Sequence, residues 1–264
     1  SGMMGQEANS KQESRDLTGG DGTRCAMSDY NRNFIFSSIV EGELRRASDG
    51  GLTGSSFKSF FDKNIDNASP AGAPDNGAGW VAPITFKEKK VGTQIKSVFL
   101  FGTNSSVWMT QGALLGNPVW FNLFNPGAVH FTAVTMSEDG NTVFAATETG
   151  AVYRIAVPNL WDSVYHYADT LTNMPGPGPY TFPLLSSCVA TTIATYGSRF
   201  VTDLETTPTG DVLLVTLANY SNSSYIFKST NATDPTPTFT DITSNLPKMP
   251  IYTSLCVGKS PTKF

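Results

Sequence analysis

Two carboxylates, Asp21 and Asp203, occupy positions suited to acid–base chemistry. Asp21 lies in the turn Gly19-Gly20-Asp21-Gly22, and Asp203 lies near the start of a strand-like run at 201–217. Two carboxyl groups facing each other across a cleft can cleave a glycosidic bond: one protonates the leaving oxygen and the other attacks the sugar or activates water. The competing role for Asp21 is structural, because a short Asp side chain in a tight turn bonds its own backbone. Trp80, Trp108, Trp120 and Trp161 carry flat rings that could stack on sugars. Trp80 and Trp161 border loops and are the candidate ligand-binding residues, whereas Trp120 falls where a strand core is expected.

Other chemistries are poorly supplied. Cys25, Cys188 and Cys256 have no metal-ligand spacing and form no even framework. Cys25 and Cys256 sit in apolar strand-like runs, which suggests buried free thiols; a disulfide between them requires the two ends of the chain to meet. His130 and His166 are the only histidines and leave little room for a zinc site. No Gly-x-Ser-x-Gly elbow, phosphate-binding loop, dinucleotide glycine motif or His-Glu-x-x-His is present. No metal and no cofactor is therefore expected.

A net charge of −4 argues against a broad nucleic-acid footprint and against a polybasic membrane patch. The basic clusters Arg45-Arg46 and Lys87-Glu88-Lys89-Lys90 are expected to be solvated. No apolar run approaches the roughly 18 residues needed to span a bilayer, and the chain opens on no signal-peptide pattern. Sequons at Asn67, Asn104, Asn219, Asn222 and Asn231 are no more than a Ser/Thr-rich chain produces by chance.

The elements that would position these residues repeat. Phe131–Thr147 and Val201–Leu217 share an alternating strand, a glycine turn and a continuously apolar strand, with Gly140 on Gly210, Thr132 on Thr202 and Asn141 on Asp211. Related starts occur at Thr23–Phe36 and Ile251–Val257, and Lys96–Thr103 supplies another apolar strand whose preceding partner is not evident. Third strands follow at Gly42–Ser48, Ser106–Thr110, Gly150–Ile155 and Ser224–Thr230. Aromatic segments at Trp120–Leu123 and Phe239–Ile242 close two units. Glycine in the hairpin turns supplies the positive φ they need, and an apolar second strand suits burial on both faces.

Four strands in series form a unit that cannot bury both faces alone and must stack on its neighbours. The expected fold is all-β, a β-propeller of four to five blades of four-stranded antiparallel sheets, closed as a small ring or left incomplete, the incomplete arc being favoured. Residues 1–22 are expected as a lead-in belonging to a preceding blade and residues 23–264 as the blades. A β-sandwich is the main alternative; a β-helix fits less well because the repeat exceeds one coil. Capped helical periodicity is absent, so helices should be few.

The segment Leu44–Gly54 resembles an Asp-box, the S-x-D-x-G-x-T-W turn of sialidase-like, sortilin-like and xyloglucanase-like propellers. Ser48, Asp49, Gly51 and Thr53 supply most of the pattern, and Gly54 stands in place of its Trp. Lys228–Thr233 is a weaker copy, with Phe239 in the aromatic role. The resemblance implies a structural rim turn and secreted or cell-surface relatives. The Arg-Ile-Pro element of sialidases is missing. A xyloglucanase-like cleft would need Asp21 or Asp203 and a second propeller.

These observations lead to a non-catalytic secreted or cell-surface module that binds a protein or glycan through loops on one face. The alternatives are a partial or degenerate glycoside hydrolase and a structural subunit of a surface assembly, in which the rest of a larger propeller is the partner. The long Pro/Gly-rich stretches at 64–79 and 173–183 are further places where binding loops could lie.

Overall fold

The computed structural model describes residues 21–52, 77–115, 118, 120–161, 187–218, 220 and 223–255, with the backbone alone at 4–6, 14–16 and 58–59. Four four-stranded antiparallel sheets stand in a ring as the blades of a β-propeller. Blade I contains β3 (Gly22–Met27), β4 (Ile35–Ile39), β5 (Leu44–Ala47) and β6 (Lys58–Ser59); blade II contains β7 (Ile84–Val91), β8 (Gln94–Gly102), β9 (Val107–Thr110) and β10 (Phe121–Phe124). Blade III runs β11 (Phe131–Met136), β12 (Thr142–Thr147), β13 (Ala151–Ala156), β14 (Val189–Thr195), and blade IV runs β15 (Val201–Thr206), β16 (Leu213–Leu217), β17 (Ile226–Ser229), β18 (Thr240–Asp241). Each strand pairs with the next in sequence, so every blade is a simple meander. A separate hairpin joins β1 (Met4–Gln6) to β2 (Ser14–Asp16). Among the described residues the sole helix is one 3-10 turn, Val40–Gly42.

The expected repeat is present in detail. Gly140 and Gly210 take φ of 80° and 81° at equivalent turns. Both turns close alike, by Gly140 N donating to Ser137 O and Gly210 N to Thr207 O. A register shift follows the first residue of β11 and of β15, at Phe131/Ala133 and Val201/Asp203, and another lies at Gly22/Arg24 in β3. The second strands β12 and β16 are buried at every position, as their apolar sequences require. The partner of Lys96–Thr103 is β7, which carries the Lys87–Lys90 cluster.

Successive blades pack through three apolar cores. Phe36 and Leu44 of blade I meet Phe99, Phe101, Trp108 and Trp120 of blade II. Leu100, Met109 and Phe121 meet Phe131, Met136 and Val143 between blades II and III. Phe144, Ala146 and Val152 meet Leu204, Leu213 and Val215 between blades III and IV. Trp120 is 1% exposed, the core position expected of it. Arg24 on β3 acts electrostatically on Asp203 of β15, which brings the first and last inner strands to the same axis.

Polar fittings repeat at the junctions. Arg46 of β5 pairs across from Phe36, and Arg154 of β13 across from Phe144. Arg46 Nη1 donates to Ala113 O and Leu115 O, 2.6 Å each, in the turn that follows the third strand of blade II. Arg154 Nη1 donates to Ala232 O (3.0 Å) and Asp234 O in the matching turn of blade IV. Between them, Gln111 Nε2 donates to Leu160 O (2.6 Å) and Lys96 Nζ to Trp161 O. The Arg45-Arg46 pair is thus only half solvated: Arg45 meets exposed Glu43 at 2.7 Å, while Arg46 spans a blade junction.

Candidate binding site

The two ends of the ring differ in construction. At one end each incoming chain crosses from blade to blade. There the loop between second and third strands, or in blade IV the end of the second strand, accepts an amide from the chain leaving the blade: Ala78 N to Glu41 O, Val129 N to Asn104 O, Tyr196 N to Gly150 O, and Ile251 N to Leu217 O. Gly150 must be glycine at this crossing. Its φ is +84°, and a methyl group would overlap the Gly197 carbonyl and approach Arg199 O to 2.9 Å. Residues 251–255 occupy the same place after blade IV, as the sequence repeat at Ile251 anticipates, but they form no strand.

Large aromatic side chains stand exposed on this crossover end. Trp80 (63% exposed) precedes β7, Phe200 (41%) precedes β15, Tyr220 (71%) lies between β16 and β17, and Tyr252 (66%) follows the last crossing. His130 Nδ1 lies 3.3 Å from Glu148 Oε2 beside them, and Arg199 Nη2 donates to Ala218 O at 3.3 Å. Trp80 therefore meets the expectation of an accessible ring.

Trp161 does not. It is 3% exposed, its indole packs over Gly140, and its Nε1 donates to Glu138 O at 2.7 Å. It cannot lie flat under a sugar, because the turn of β11–β12 already covers it.

The candidate carboxylates are not assembled into a catalytic pair by any described contact. Asp21 is exposed at the mouth of β3. Asp203 Oδ2 accepts from Ser254 N (2.7 Å), Thr253 Oγ1 (3.2 Å) and Ser254 Oγ (3.4 Å), so it anchors the crossing chain to β15. Burial pushes its pKa up, and these hydrogen bonds with Arg24 oppose the shift.

The Asp-box-like turn lies on the other end, after β5. Asp49 Oδ1 accepts from Gly51 N at 3.0 Å, an Asx turn, and Gly50 N donates to Asn33 O at 2.9 Å, which fastens the turn to the β3–β4 loop. Ser48 is exposed beside it, and Thr53 lies outside the described residues. The copy after β17 behaves similarly: Asn231 Oδ1 accepts from Thr238 N at 3.0 Å, and Ala232 N donates to Asp211 O at 2.7 Å.

This second end also holds an axial cleft of about 570 Å³, lined from all four blades by Met27 and Asp29, by Phe86–Lys89, by Glu138, Asp139 and Trp161, and by Pro208 and Thr209. Lys87 is not the solvated side chain expected from its cluster. Its Nζ donates to Met136 O at 2.7 Å, and burial lowers its pKa against the pull of Glu205 and Glu138. Glu88 accepts from Ser28 Oγ and Asp29 N at 2.7 Å each.

Cys25 is exposed on β3, contrary to the buried thiol expected, because β3 faces solvent at alternate positions. Cys256 and His166 lie outside the described residues, as do the insertions except for Gly77–Gly79. Among the described residues no group of His, Cys, Asp and Glu could hold a metal, and no helix is long and apolar enough to cross a membrane.

The fold and its two ends define a four-bladed β-propeller. Among solved structures it is similar to the GH74 enzyme of Niastella koreensis, with a TM-score of 0.50 and 15% identity over 87% of this chain and 31% of that one. An ancestral GH74 enzyme gives 0.49 and 14%, covering 87% and 26%. YCF48 from Cyanidioschyzon merolae gives 0.44 and 9%, covering 84% and 59%. The chain thus spans under a third of the length of either GH74 enzyme. No protein family and no curated protein matches its sequence.

Proposed function

We propose that this propeller is a secreted or cell-surface recognition module that holds a polysaccharide against its crossover end without cleaving it. The observation that carries this reading is the exposure of Trp80, Phe200, Tyr220 and Tyr252 on one end of a rigid ring. Exposed apolar groups gathered in one region mark interaction sites, and loops on a rigid scaffold are where binding concentrates. A glycan suits this end better than a protein because the same end also carries hydrogen-bonding groups, the His130–Glu148 pair and Arg199. Ring faces take the apolar face of a pyranose while those groups take its hydroxyls. The use of Asp203 as an anchor for Ser254 speaks against a hydrolytic pair.

Affinity electrophoresis through gels containing plant or bacterial polysaccharides tests the reading. Retardation by at least one polymer is expected. Trp80→Ala and Tyr252→Ala should each weaken it by about twofold to about tenfold, since an aromatic contact contributes about 0.5–1.5 kcal/mol. Undiminished retardation of the double variant, or polymer turnover that Asp203→Ala abolishes, would overturn it.

A further inference from the structure

A second ligand site lies at the opposite end, in the axial cleft between the β3, β7, β11–β12 and β15–β16 segments. Its lining carries four carboxylates, Asp29, Glu88, Glu138 and Asp139, against two ammonium groups, Lys87 and Lys89. Most of these charges are already committed to the walls. Lys87 is turned into the ring towards Met136 O. Glu88 is held by Ser28 and Asp29 N, and Asp139 Oδ1 accepts from Ser137 Oγ (2.5 Å) and Asn141 N (3.0 Å).

What remains is specific. The carboxylates of Asp29 and Glu138 are exposed, and Glu138 also attracts the Lys87 ammonium. They stand on turns of blades I and III, on opposite sides of the axis. Between them lie apolar walls from Met27, which is 52% exposed, and Phe86. The Trp161 indole is already taken, by the β11–β12 turn and by Lys89 Nζ 6.0 Å from the ring centre, and forms part of the wall. Exposed carboxylates beside apolar walls match a positively charged group on a flexible hydrocarbon stem.

We propose that the axial cleft binds a basic side chain, that of an arginine or lysine in a peptide, with its charge between Asp29 and Glu138 and its stem along Met27 and Phe86. The volume falls within the range of small-ligand sites, and the lining is more charged than most of them. The site is independent of the crossover end and does not depend on the polysaccharide reading.

The test is calorimetric titration of the full chain with a short capped peptide containing two arginines, beside the same peptide with citrulline in their place. The arginine peptide is expected to bind, to weaken as sodium chloride rises, and to lose tenfold or more in affinity in the Asp29→Asn/Glu138→Gln double variant. Trp80→Ala, at the other end, should leave it unchanged. A thermal melt matching the parent shows that the double variant is folded. Equal binding of the citrulline peptide, undiminished binding by the double variant, or no heat from the arginine peptide with the parent protein would overturn the proposal. Loss of binding on Trp80→Ala would overturn the separation of the two sites.

Discussion

Replacing Gly150 by alanine should damage this ring far more than replacing Gly92 does, although both glycines have positive φ. Gly92 sits at the tip of the β7–β8 hairpin with φ +61° and nothing within 4 Å of where a methyl group would stand, so Gly92→Ala meets only the backbone cost. That cost is about 1–2 kcal/mol. Gly150 has φ +84° and carries the same cost, but its methyl also strikes the Gly197 and Arg199 carbonyls on the chain crossing into blade IV. Relief requires moving that crossing, at about 1–3 kcal/mol for overpacking. It also stretches the Tyr196–Gly150 hydrogen bond of 2.9 Å, at about 1 kcal/mol. Gains from a stiffer unfolded chain are equal in the two variants and cancel. The expected totals are about 3–6 kcal/mol for Gly150→Ala and about 1–2 kcal/mol for Gly92→Ala. At about 2–4 °C per kcal/mol, Tm should fall by roughly 6–24 °C for Gly150→Ala against roughly 2–8 °C for Gly92→Ala, read by scanning calorimetry of both variants. Equal losses would refute the reasoning, because the crossover would then not be the tight junction described.

Arg154→Met should lower the urea unfolding midpoint by an amount equivalent to about 1–3 kcal/mol, because two carbonyls lose a charged donor; Arg45→Met, losing only an exposed pair with Glu43, should change it by less than about 1 kcal/mol. The contribution of Asp203 to stability should be visible against pH: burial raises its folded pKa, so its contribution is full below the unfolded carboxylate pKa and is lost as pH rises through the folded one. The advantage of the parent over Asp203→Asn should therefore shrink as pH rises through and just above the carboxylate range, and urea midpoints at successive pH values that diverged instead would refute this. Under native conditions a maleimide should label Cys25, which is exposed, well before Cys188, whose thiol burial pushes up to about 11, as followed by peptide mass mapping.

The blades are legible where turn chemistry and alternation coincide. Gly140 and Gly210, with the strands around them, identify two hairpins because only glycine takes their backbone without strain and only an apolar second strand survives burial on both faces. β7 is hidden because four consecutive charged residues break its pattern, and the ring tolerates them only by giving Lys87 a carbonyl and Glu88 two donors. Trp80 reads correctly as accessible, since its flanking glycine and loop say so. Trp161 misleads because its burial depends on a contact with Gly140, twenty-one positions earlier in the chain, and loop-bordering sequence carries no trace of that distance. Neither the commitment of Asp203 to Ser254 nor the sharing of one cleft by Asp29 and Glu138 follows from spacing, because both are set by how blades close on one another.

The fittings at the blade junctions bear on how such a chain can change length over generations. Arg46 and Arg154 each hold the turn of the following blade, and each crossing amide is caught by the blade before it. A segment running from the third strand of blade I to that of blade III, two blades on, therefore carries one complete plug and one complete socket. Unequal recombination between two such points would insert or remove a unit whose ends mate with what is already there. Breakpoints placed between whole blades would not serve better, since the parts that join are not divided at the boundaries of the sheets.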